Sequence, residues 1–483
     1  MLKILVRKRN KHYLVEIYKG TTFLRLFLFL SIGVLMVNSI GIPPIFMLLL
    51  GCVALLLLMF CLFMRINDVW LRVGFILLAL SFGGIWSVEK APYIPVNGLQ
   101  KIEIISVQKG SGHHLACDAL LLEDCLIRLN TDSSLQLNVG ETIDADISPY
   151  WPKYLGGNFN YPLYLYRKGY SGAAWLDSAK IVARRQNIRA SIPAWRQMCV
   201  ERFKRVGISR ENLGIVSAIT IGEKSSLNEN VQANFRNAGV AHVLVVSGMH
   251  VGFIFLLINL LLKRAKQKSV VVLSGIAVIW AYALFVGMTP SVCRASLMFS
   301  VMLLCRLYGE EYNSMNALAL SAVVLLAANP LVLYDIGFQL SFLAVFSIIL
   351  FYPSFPSVTK GWLVQKLYNI IRLSFSAQIL VFPVIVFYFG QLPLYFILSN
   401  VAIALLTPMI FVGGLLTLLP LIGDASGMLL DWLLTLFRLV VQYVAQLPYS
   451  TIELTFDSMT TIALLAMILM IGNILRSPAL QRL

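Results

Sequence analysis

Residues near the middle of the chain place a hydroxyl and two imidazoles inside an apolar stretch. The segment AHVLVVSGMHVGFI (241–254) contains His242, Ser247 and His250. Ser247 and His250 are three residues apart and would share a helix face, so a serine hydrolase within the membrane is one interpretation. The base of such a pair usually comes from another element, and no Gly-x-Ser-x-Gly turn is present. Histidines that hydrogen-bond between helices and a polar site that lines a conduit are the other interpretations.

The same histidines could also bind a metal ion together with Asp335 or Glu223. His242 and His250 are eight residues apart, which separates them by about 80° around a helix and is poor for chelation by one helix. The segment GEKSS (222–226) is not a phosphate-binding loop, because a glutamate separates its glycine from its lysine. We therefore expect no metal, no cofactor and no ATPase or nuclease activity, and we assign no catalytic residue.

The elements that must position these side chains are membrane helices. Hydrophobic residues make up 58% of the chain, charged residues make up 13%, and the mean hydropathy is +0.79. Apolar runs long enough to span a bilayer lie near 23–41, 45–64 and 69–87, and nine more lie between 240 and 476. No cleavage site follows the first run, so we expect a retained anchor. The predicted fold is a polytopic α-helical membrane protein with about 12 spans.

Loop charges predict the orientation. The formal net charge is +16, and an excess of Lys and Arg is typical of cytoplasmic loops. The basic N-terminus places both chain ends in the cytoplasm and the segment after the third span outside. Strict alternation then places the turns at 289–294, 329–339 and 389–393 outside as well. The unusual polar residues would thus collect near the outer face.

The outside segment at 95–178 alternates polar and apolar residues as strands do, in KIEIISV, CLIRL and ETIDADI. This pattern predicts a small extracytoplasmic OB-like β-barrel inserted after the third span. Cys117 and Cys125 flank a short hairpin-like stretch within it. A disulfide between them is our prediction for an oxidising compartment, and two reduced buried thiols are the alternative.

The remaining predicted units are N-terminal spans at 1–90, a basic amphipathic interfacial helix at 179–212 and a helical domain at 213–476. The basic helix suits lipid headgroups, or alternatively a phosphate-guiding ring at a channel mouth.

Gly248 and Gly252 allow either a broken helix or close helix packing. Asp431 and Arg438 lie seven apart on one helix face, and we expect them to pair with other helices, with contact to a polar substrate as the alternative.

An ordered set of motifs resembles the ComEC-type family of bacterial competence proteins. The stretches that carry the resemblance are GGNFNYPLYLYRKGYSG (156–172), GEKSSLNENVQANFRNAGVAHVLVVSGMHVG (222–252), TPSVCRASLM (289–298), NSMNALALSAVVLLAANPLVLYDIGFQLSFLAV (313–345) and SAQILVFPVIVFYFGQLPLYFILSN (376–400). The resemblance implies an inner-membrane channel that moves single-stranded DNA into the cytoplasm during natural transformation. Carried over position by position, the implied DNA path consists of Arg236, His242, Ser247, Gly248, His250, Pro290, Arg294, Asp335, Gln339, Gln378 and Asn400.

The resemblance also implies partners: single-stranded DNA, membrane lipids, a separate DNA receptor, a nuclease and a cytoplasmic helicase, with an oligomer as a further option. Many members carry a metallo-β-lactamase-like domain, but no His-x-His-x-Asp-His cluster occurs here, so we expect any nuclease to be a separate protein. Within a conduit, Arg236 and Arg294 would contact phosphates. Unstacked bases would contact aromatic residues, for which the candidates are Phe338, Phe342, Tyr388 and Phe389. An intramembrane hydrolase or metalloenzyme and a transporter of another polyanion are the alternative functions.

Overall fold

The computed structural model describes residues 22–64, 68–87, 98–109, 114–121, 125–132, 135, 137, 140–150, 152, 161–186, 191–262, 267–356, 361–420 and 422–475. The basic N-terminal residues and the C-terminal end, both predicted to be cytoplasmic, lie outside the described residues.

Three helices occupy the predicted N-terminal spans: α1 (Thr22–Asn38), α2 (Pro44–Met64) and α3 (Asp68–Trp86). Glycines let α1 and α3 approach closely, because a Cβ at Gly33 or Gly83 would collide with the backbone of the opposite helix. Small residues at such contacts are the usual means of packing helices in lipid.

Five strands form a small closed barrel: β1 (Gly98–Lys109), β2 (His114–Leu121), β3 (Cys125–Asp132), β4 (Glu141–Tyr150) and β5 (Tyr170–Gln186). The strand order is β1-β2-β3-β5-β4, and the β3–β5 pair is parallel. Alternate apolar residues such as Ile102, Ile127 and Ile143 fill the interior, as the period of two requires. A short helix, α4 (Tyr161–Arg167), precedes the last strand.

The structure contradicts the predicted disulfide between Cys117 and Cys125, since both thiols are free. In the β2–β3 register, Cys117 lies opposite Leu129 and Cys125 lies opposite Leu121. Four residues of strand, about 13 Å, therefore separate their rows, and a bridge needs Cα atoms within about 7 Å. The hairpin is joined by strand hydrogen bonds instead.

Residues 179–186, predicted to begin the basic helix, belong to strand β5 and pair with β4. The helix itself is α5 (Ser191–Arg205), and α6 (Arg210–Ile221) and α7 (Glu229–Asn237) follow it. Two arginines of α5 bind other helices: Nε of Arg196 donates to Phe285 O (2.7 Å), and Nε of Arg202 donates to Thr417 O (3.3 Å).

The helical domain continues with a 3-10 turn (Ala241–Leu244) and apolar helices connected by short turns. These are α8 (Gly248–Leu262), α9 (Lys268–Val286), α10 (Pro290–Tyr308), α11 (Ser314–Ala328), α12 (Ile336–Phe351), α13 (Trp362–Phe389), α14 (Phe396–Thr417), α15 (Ile422–Ala445) and α16 (Ser458–Leu475). A second 3-10 turn, Pro330–Tyr334, joins α11 to α12.

Eight helices among the described residues are long and apolar enough to cross a membrane, and four further apolar helices, α1, α8, α11 and α16, are shorter. The largest buried cluster joins α5 to α10 with α14 and α15 and includes Phe203, Phe235, Phe411 and Phe437. A two-stranded ribbon of β6 (Gln391–Pro393) and β7 (Thr451–Glu453) connects the turn before α14 to the turn after α15.

Asp431 and Arg438 pair with another helix, as predicted. Oδ1 of Asp431 accepts hydrogen bonds from the amide and the hydroxyl of Ser209 (both 2.9 Å) and from Asn212 Nδ2 (2.8 Å), at the start of α6. Arg438 forms an ion pair with Glu211 at 2.6 Å. Both residues of α15 therefore hold α6 in place.

Candidate conduit site

The segment that combines Ser247 with two histidines is a broken helix. The 3-10 turn ends before Val245, whose backbone is extended, and α8 begins only at Gly248. Irregular backbone at membrane depth is tolerated where protein or a water-filled cavity covers it. His242 is exposed and His250 is fully buried, so the two imidazoles do not face a common ligand site from one continuous helix.

Ser247 and His250 are in contact, and the backbone forms the shorter bond. The amide of Ser247 donates to Nδ1 of His250 (3.0 Å), while the hydroxyl lies 3.3 Å from the same nitrogen. A nitrogen that accepts from an amide leaves the proton on Nε2, and that buried nitrogen has no hydrogen-bond partner in the described part of the chain. A serine–histidine pair in a hydrolase needs a third group to orient the base, and none contacts Nε2 here.

Arg294, one turn into α10, is the most unusual charge of the site. Its side chain is 7% exposed, its Nε donates to the hydroxyl of Ser341 (3.0 Å), and that hydroxyl bonds Ser291 (3.0 Å). The guanidinium also lies 5.9 Å from the ring centre of Phe342. Within the described ranges no carboxylate forms an ion pair with it. A buried cation without a counter-ion is costly, which makes Arg294 a candidate for a functional role.

Gly248 joins the broken helix to this arginine. A Cβ at Gly248 would lie 2.8 Å from Nη2 of Arg294 and 3.1 Å from Cβ of Ala295. The first turn of α8 therefore packs directly against the guanidinium, as only glycine allows. Ser247, Gly248, His250 and Arg294 thus form one group, which we call the inner group.

Asp335 and Gln339 form a second group at the start of α12. Oδ1 of Asp335 caps the helix by accepting from Phe338 N (2.9 Å), and its Oδ2 lies 3.4 Å from Nζ of Lys168, which follows α4. Gln339 donates to Leu333 O (2.9 Å) and accepts from the hydroxyl of Tyr388 (3.0 Å). Ser341, which binds Arg294, is six residues after Asp335, or about 9 Å along α12. The two groups are therefore neighbours on one helix.

The other residues of the implied path are not joined to these groups by the contacts described above. Arg236 is exposed in the last turn of α7, and Pro290 is the first residue of α10. Gln378 and Asn400 are half-buried on α13 and α14. Phe338 and Phe342, candidates for base stacking, are buried and stack on each other with ring centres 4.2 Å apart; Phe389 is exposed.

Several residues of the site were not predicted. Ser291 and Ser341 gave no signal because serines are common in apolar helices. Arg167 and Lys168 fall inside the motif GGNFNYPLYLYRKGYSG, so the resemblance contained them, but only the fold brings Lys168 to Asp335. In the part of the chain that the structure describes, no group of three His, Cys, Asp or Glu residues could hold a metal ion.

Comparison with known proteins assigns the family. A profile described as "Competence protein" matches residues 219–478, which is more than half of the chain and contains both groups except Lys168. The chain belongs to the Competence protein family. Together with its eight long apolar helices, this membership identifies a multi-pass membrane protein. No solved structure matches the chain.

Curated proteins with related names are similar to about half of the chain. ComE operon protein 3 of Bacillus subtilis (strain 168) is 30% identical over 240 residues, which cover 49% of this chain and 30% of that protein. Competence protein ComA of Neisseria gonorrhoeae is 26% identical over 254 residues, 48% of this chain and 35% of that protein. Recombination protein 2 of Haemophilus influenzae is 23% identical over 263 residues, which cover 50% of this chain and 32% of that protein. The chain therefore spans about a third of each of these relatives.

Proposed function

We propose that this protein is a helical channel in the cytoplasmic (inner) membrane that translocates single-stranded DNA into the cytoplasm during natural transformation. The observation that carries the proposal is the buried Arg294. Its guanidinium has more N–H donors than the contacts described above use, and it has no acidic partner among the described residues. A planar guanidinium suits a phosphate, which it can bind through two parallel hydrogen bonds. The names of the relatives, two competence proteins and a recombination protein, support DNA as the cargo.

The barrel supports the same function. A closed five-stranded barrel of order β1-β2-β3-β5-β4 with a parallel β3–β5 pair fits the predicted OB-like fold, and OB folds commonly bind oligonucleotides. In the proposed orientation the barrel lies outside and both chain ends lie in the cytoplasm. A separate receptor would deliver DNA, a separate nuclease would degrade one strand, and a cytoplasmic helicase would act on the imported strand.

The chain's own residues provide binding and no chemical step in this proposal. His250 accepts from a backbone amide, and no acid of the described residues orients it, so Ser247 lacks an activated base there. The inner group instead offers a guanidinium and one hydroxyl, which can bind phosphate oxygens. We therefore propose a non-enzymatic channel.

The test is uptake of labelled DNA by naturally transformable cells that lack the gene and carry a variant copy. We expect Arg294→Ala to lower transformation by about a hundredfold or more, as removal of a buried charge-assisted contact of about 3 kcal/mol would. Arg294→Lys should restore only part of it, because lysine binds phosphate at one point. Normal transformation by the deletion strain, without a second copy of the gene, would refute the proposed function. Full activity of a stably expressed Arg294→Ala variant would remove Arg294 from the path.

A further inference from the structure

Cations gather where the barrel meets the helical domain. Nζ of Lys168 lies 3.4 Å from Oδ2 of Asp335 and 5.0 Å from the ring centre of Tyr164. The guanidinium of Arg167 lies over the ring of Tyr334 at 3.7 Å, and Tyr334 also bonds Ser39 of the segment after α1 (2.8 Å). The barrel, the N-terminal helices and the helical domain thus meet at one place.

A third cation, Lys224, lies in the loop between α6 and α7. Desolvation lowers the pKa of its ammonium group, and the positive charge of nearby Lys168 lowers that pKa further. The fold therefore holds two ammonium groups within electrostatic reach of each other. We call Arg167, Lys168 and Lys224 the junction cations.

Among the described residues, the junction cations outnumber the carboxylates that pair with them. Asp335 forms an ion pair with Lys168 and with no other cation of this described part, and its other oxygen is already used to cap α12. Nε of Arg167 is buried without a hydrogen-bond partner in the described part of the chain. Like charges held together in a partly desolvated place raise the free energy of the empty site, and an anion would offset that cost. Because Lys168 is 42% exposed in its side chain, an incoming anion can reach it.

We propose that the junction cations bind consecutive phosphates of a single-stranded nucleic acid at the entrance to the helical domain, and that Asp335 stays ion-paired with Lys168 until a phosphate displaces the carboxylate. This inference rests on the proposed function and names a binding site for its substrate outside the inner group. A phosphodiester carries about one charge per nucleotide, and cations spaced along a groove that follows the backbone suit it. The ion pair between Lys168 and Asp335 is partly exposed, so its exchange for a phosphate costs little.

Asp335→Asn separates the two roles of the carboxylate. The asparagine Oδ1 can still cap α12, because asparagine is as good a cap as aspartate. The variant loses only the charge that competes for Lys168. We expect Asp335→Asn to bind a single strand more tightly than the wild type, by about threefold to tenfold, the reverse of the result for a purely structural ion pair.

The experiment measures binding of a fluorescein-labelled oligothymidylate to the purified full chain in neutral-lipid nanodiscs by fluorescence anisotropy at several salt concentrations. We expect Lys168→Ala with Lys224→Ala to weaken binding by about tenfold or more. The slope of log affinity against log salt should also fall by about 0.7 for each phosphate that the variant no longer neutralises. Lys366→Ala is the matched control, since Lys366 is an exposed lysine on α13 that contacts Trp362 and lies outside the junction. Thermal unfolding of each variant checks that the fold is kept.

The outcomes separate the two proposals. Absence of single-strand binding and of DNA uptake in the wild type would refute the proposed function itself. If the wild type binds the single strand, and the double lysine variant binds it as tightly as Lys366→Ala does, the junction site is refuted. The proposed function is not refuted by that result. Weaker binding by Asp335→Asn would refute displacement of the carboxylate. Repeating the titration in nanodiscs that contain anionic lipid tests whether lipid headgroup phosphates compete with the oligonucleotide for the junction cations. If these discs inhibit the wild type but not the double variant, the junction cations bind lipid, and the proposal is overturned.

Discussion

Gly248 and Gly252 lie one turn apart on α8 and differ in what a methyl group would meet. At Gly248 a Cβ would lie 2.8 Å from Nη2 of Arg294, whereas at Gly252 it would lie 3.5 Å from the Phe299 ring, an ordinary contact. We expect Gly248→Ala to push the guanidinium off Ser341 and to lower DNA uptake at least tenfold. Crowding of this kind costs about 1–3 kcal/mol.

Gly252→Ala is the control for Gly248→Ala, because alanine is a better helix former by about 1 kcal/mol and the space for it exists. Uptake by this variant should stay near the wild-type level. The comparison uses uptake per molecule of membrane-inserted protein, measured on blots of the same cells. Equal uptake by both variants would show that the position of the guanidinium does not matter.

Cys117 provides a prediction about pH. Burial in the barrel raises the pKa of its thiol from 9.0 to about 11, and the nearby Arg128 offsets part of this effect. The neutral thiol thus favours folding below about pH 9, and this contribution is lost as the pH rises from about 9 towards 11. At pH 8 the raised pKa alone lowers the reactive thiolate fraction about a hundredfold.

Alkylation of the full chain at pH 8, read peptide by peptide by mass spectrometry, measures this difference. Half-buried Cys125 should react first, and Cys117 should react only after urea unfolds the barrel. Recovery of a Cys117–Cys125 disulfide peptide from protein isolated without reductant would contradict the strand register. That result would support the disulfide predicted from the spacing of the two cysteines and from an oxidising compartment.

At the scale of elements, α5 acts as a clamp on two other helices. Arg196 and Arg202 donate to carbonyls at the C-terminal ends of α9 and α14, where the last carbonyls lack partners and the helix dipole favours a cation. We expect Arg196→Ala with Arg202→Ala to lower the unfolding free energy by about 2 kcal/mol. Thermal unfolding in detergent would show it as a lower midpoint.

Arg205→Ala is the matched control for the clamp, since Arg205 is exposed on the same helix. A clamp variant as stable as this control would mean that both arginines serve the lipid surface, which was the sequence-based expectation for the whole basic segment. The exposed Trp195 and Met198 still suit such a surface, so α5 has separate faces for protein and for lipid.

Most elements could be predicted because their signals are local. Apolar runs predicted α1 to α3 within a few residues, and alternation of polar and apolar residues predicted β1, β3 and β4. The strand at 179–186 was missed because its arginines resemble an amphipathic helix, and only pairing with β4 makes it a strand. The contact of Gly248 with Arg294 and that of Lys168 with Asp335 depend on tertiary packing, which one sequence does not reveal.

At the scale of the whole molecule, Tyr334 of the helical domain contacts Arg167 beside the barrel. Tyr334 contacts both Arg167 and Ser39, so one residue connects three parts of the chain. The family match begins only at residue 219, so the barrel, Arg167 and Ser39 lie outside it, while Tyr334 lies inside it. The composition alone could indicate a membrane protein, but not this attachment.

The clamp formed by α5 also leads to a prediction about how the chain crosses the bilayer. Arg196 and Arg202 are about 9 Å apart along α5, far less than the roughly 30 Å hydrocarbon core, so we expect the C-terminal ends of α9 and α14, which both contact α5, to lie on one face. No apolar helix separates α5 from the barrel, and Lys168 beside the barrel contacts Asp335. Tyr388 at the end of α13 bonds Gln339 near that same face. From these contacts we expect α14 to begin and end on one side of the bilayer, although it is long enough to cross and contains Pro408.

Strict alternation predicts the opposite for α14. Single cysteines at Phe389 and Leu419, both exposed, in a chain without its native cysteines would report the result with a thiol reagent that does not cross membranes. We expect both positions to react from the same side of sealed vesicles, whereas labelling from opposite sides would show that α14 crosses. If the expectation holds, α14 and the helix that pairs with it, α15, form a hairpin on one side of the bilayer, and the ribbon of β6 and β7 closes that hairpin without a crossing.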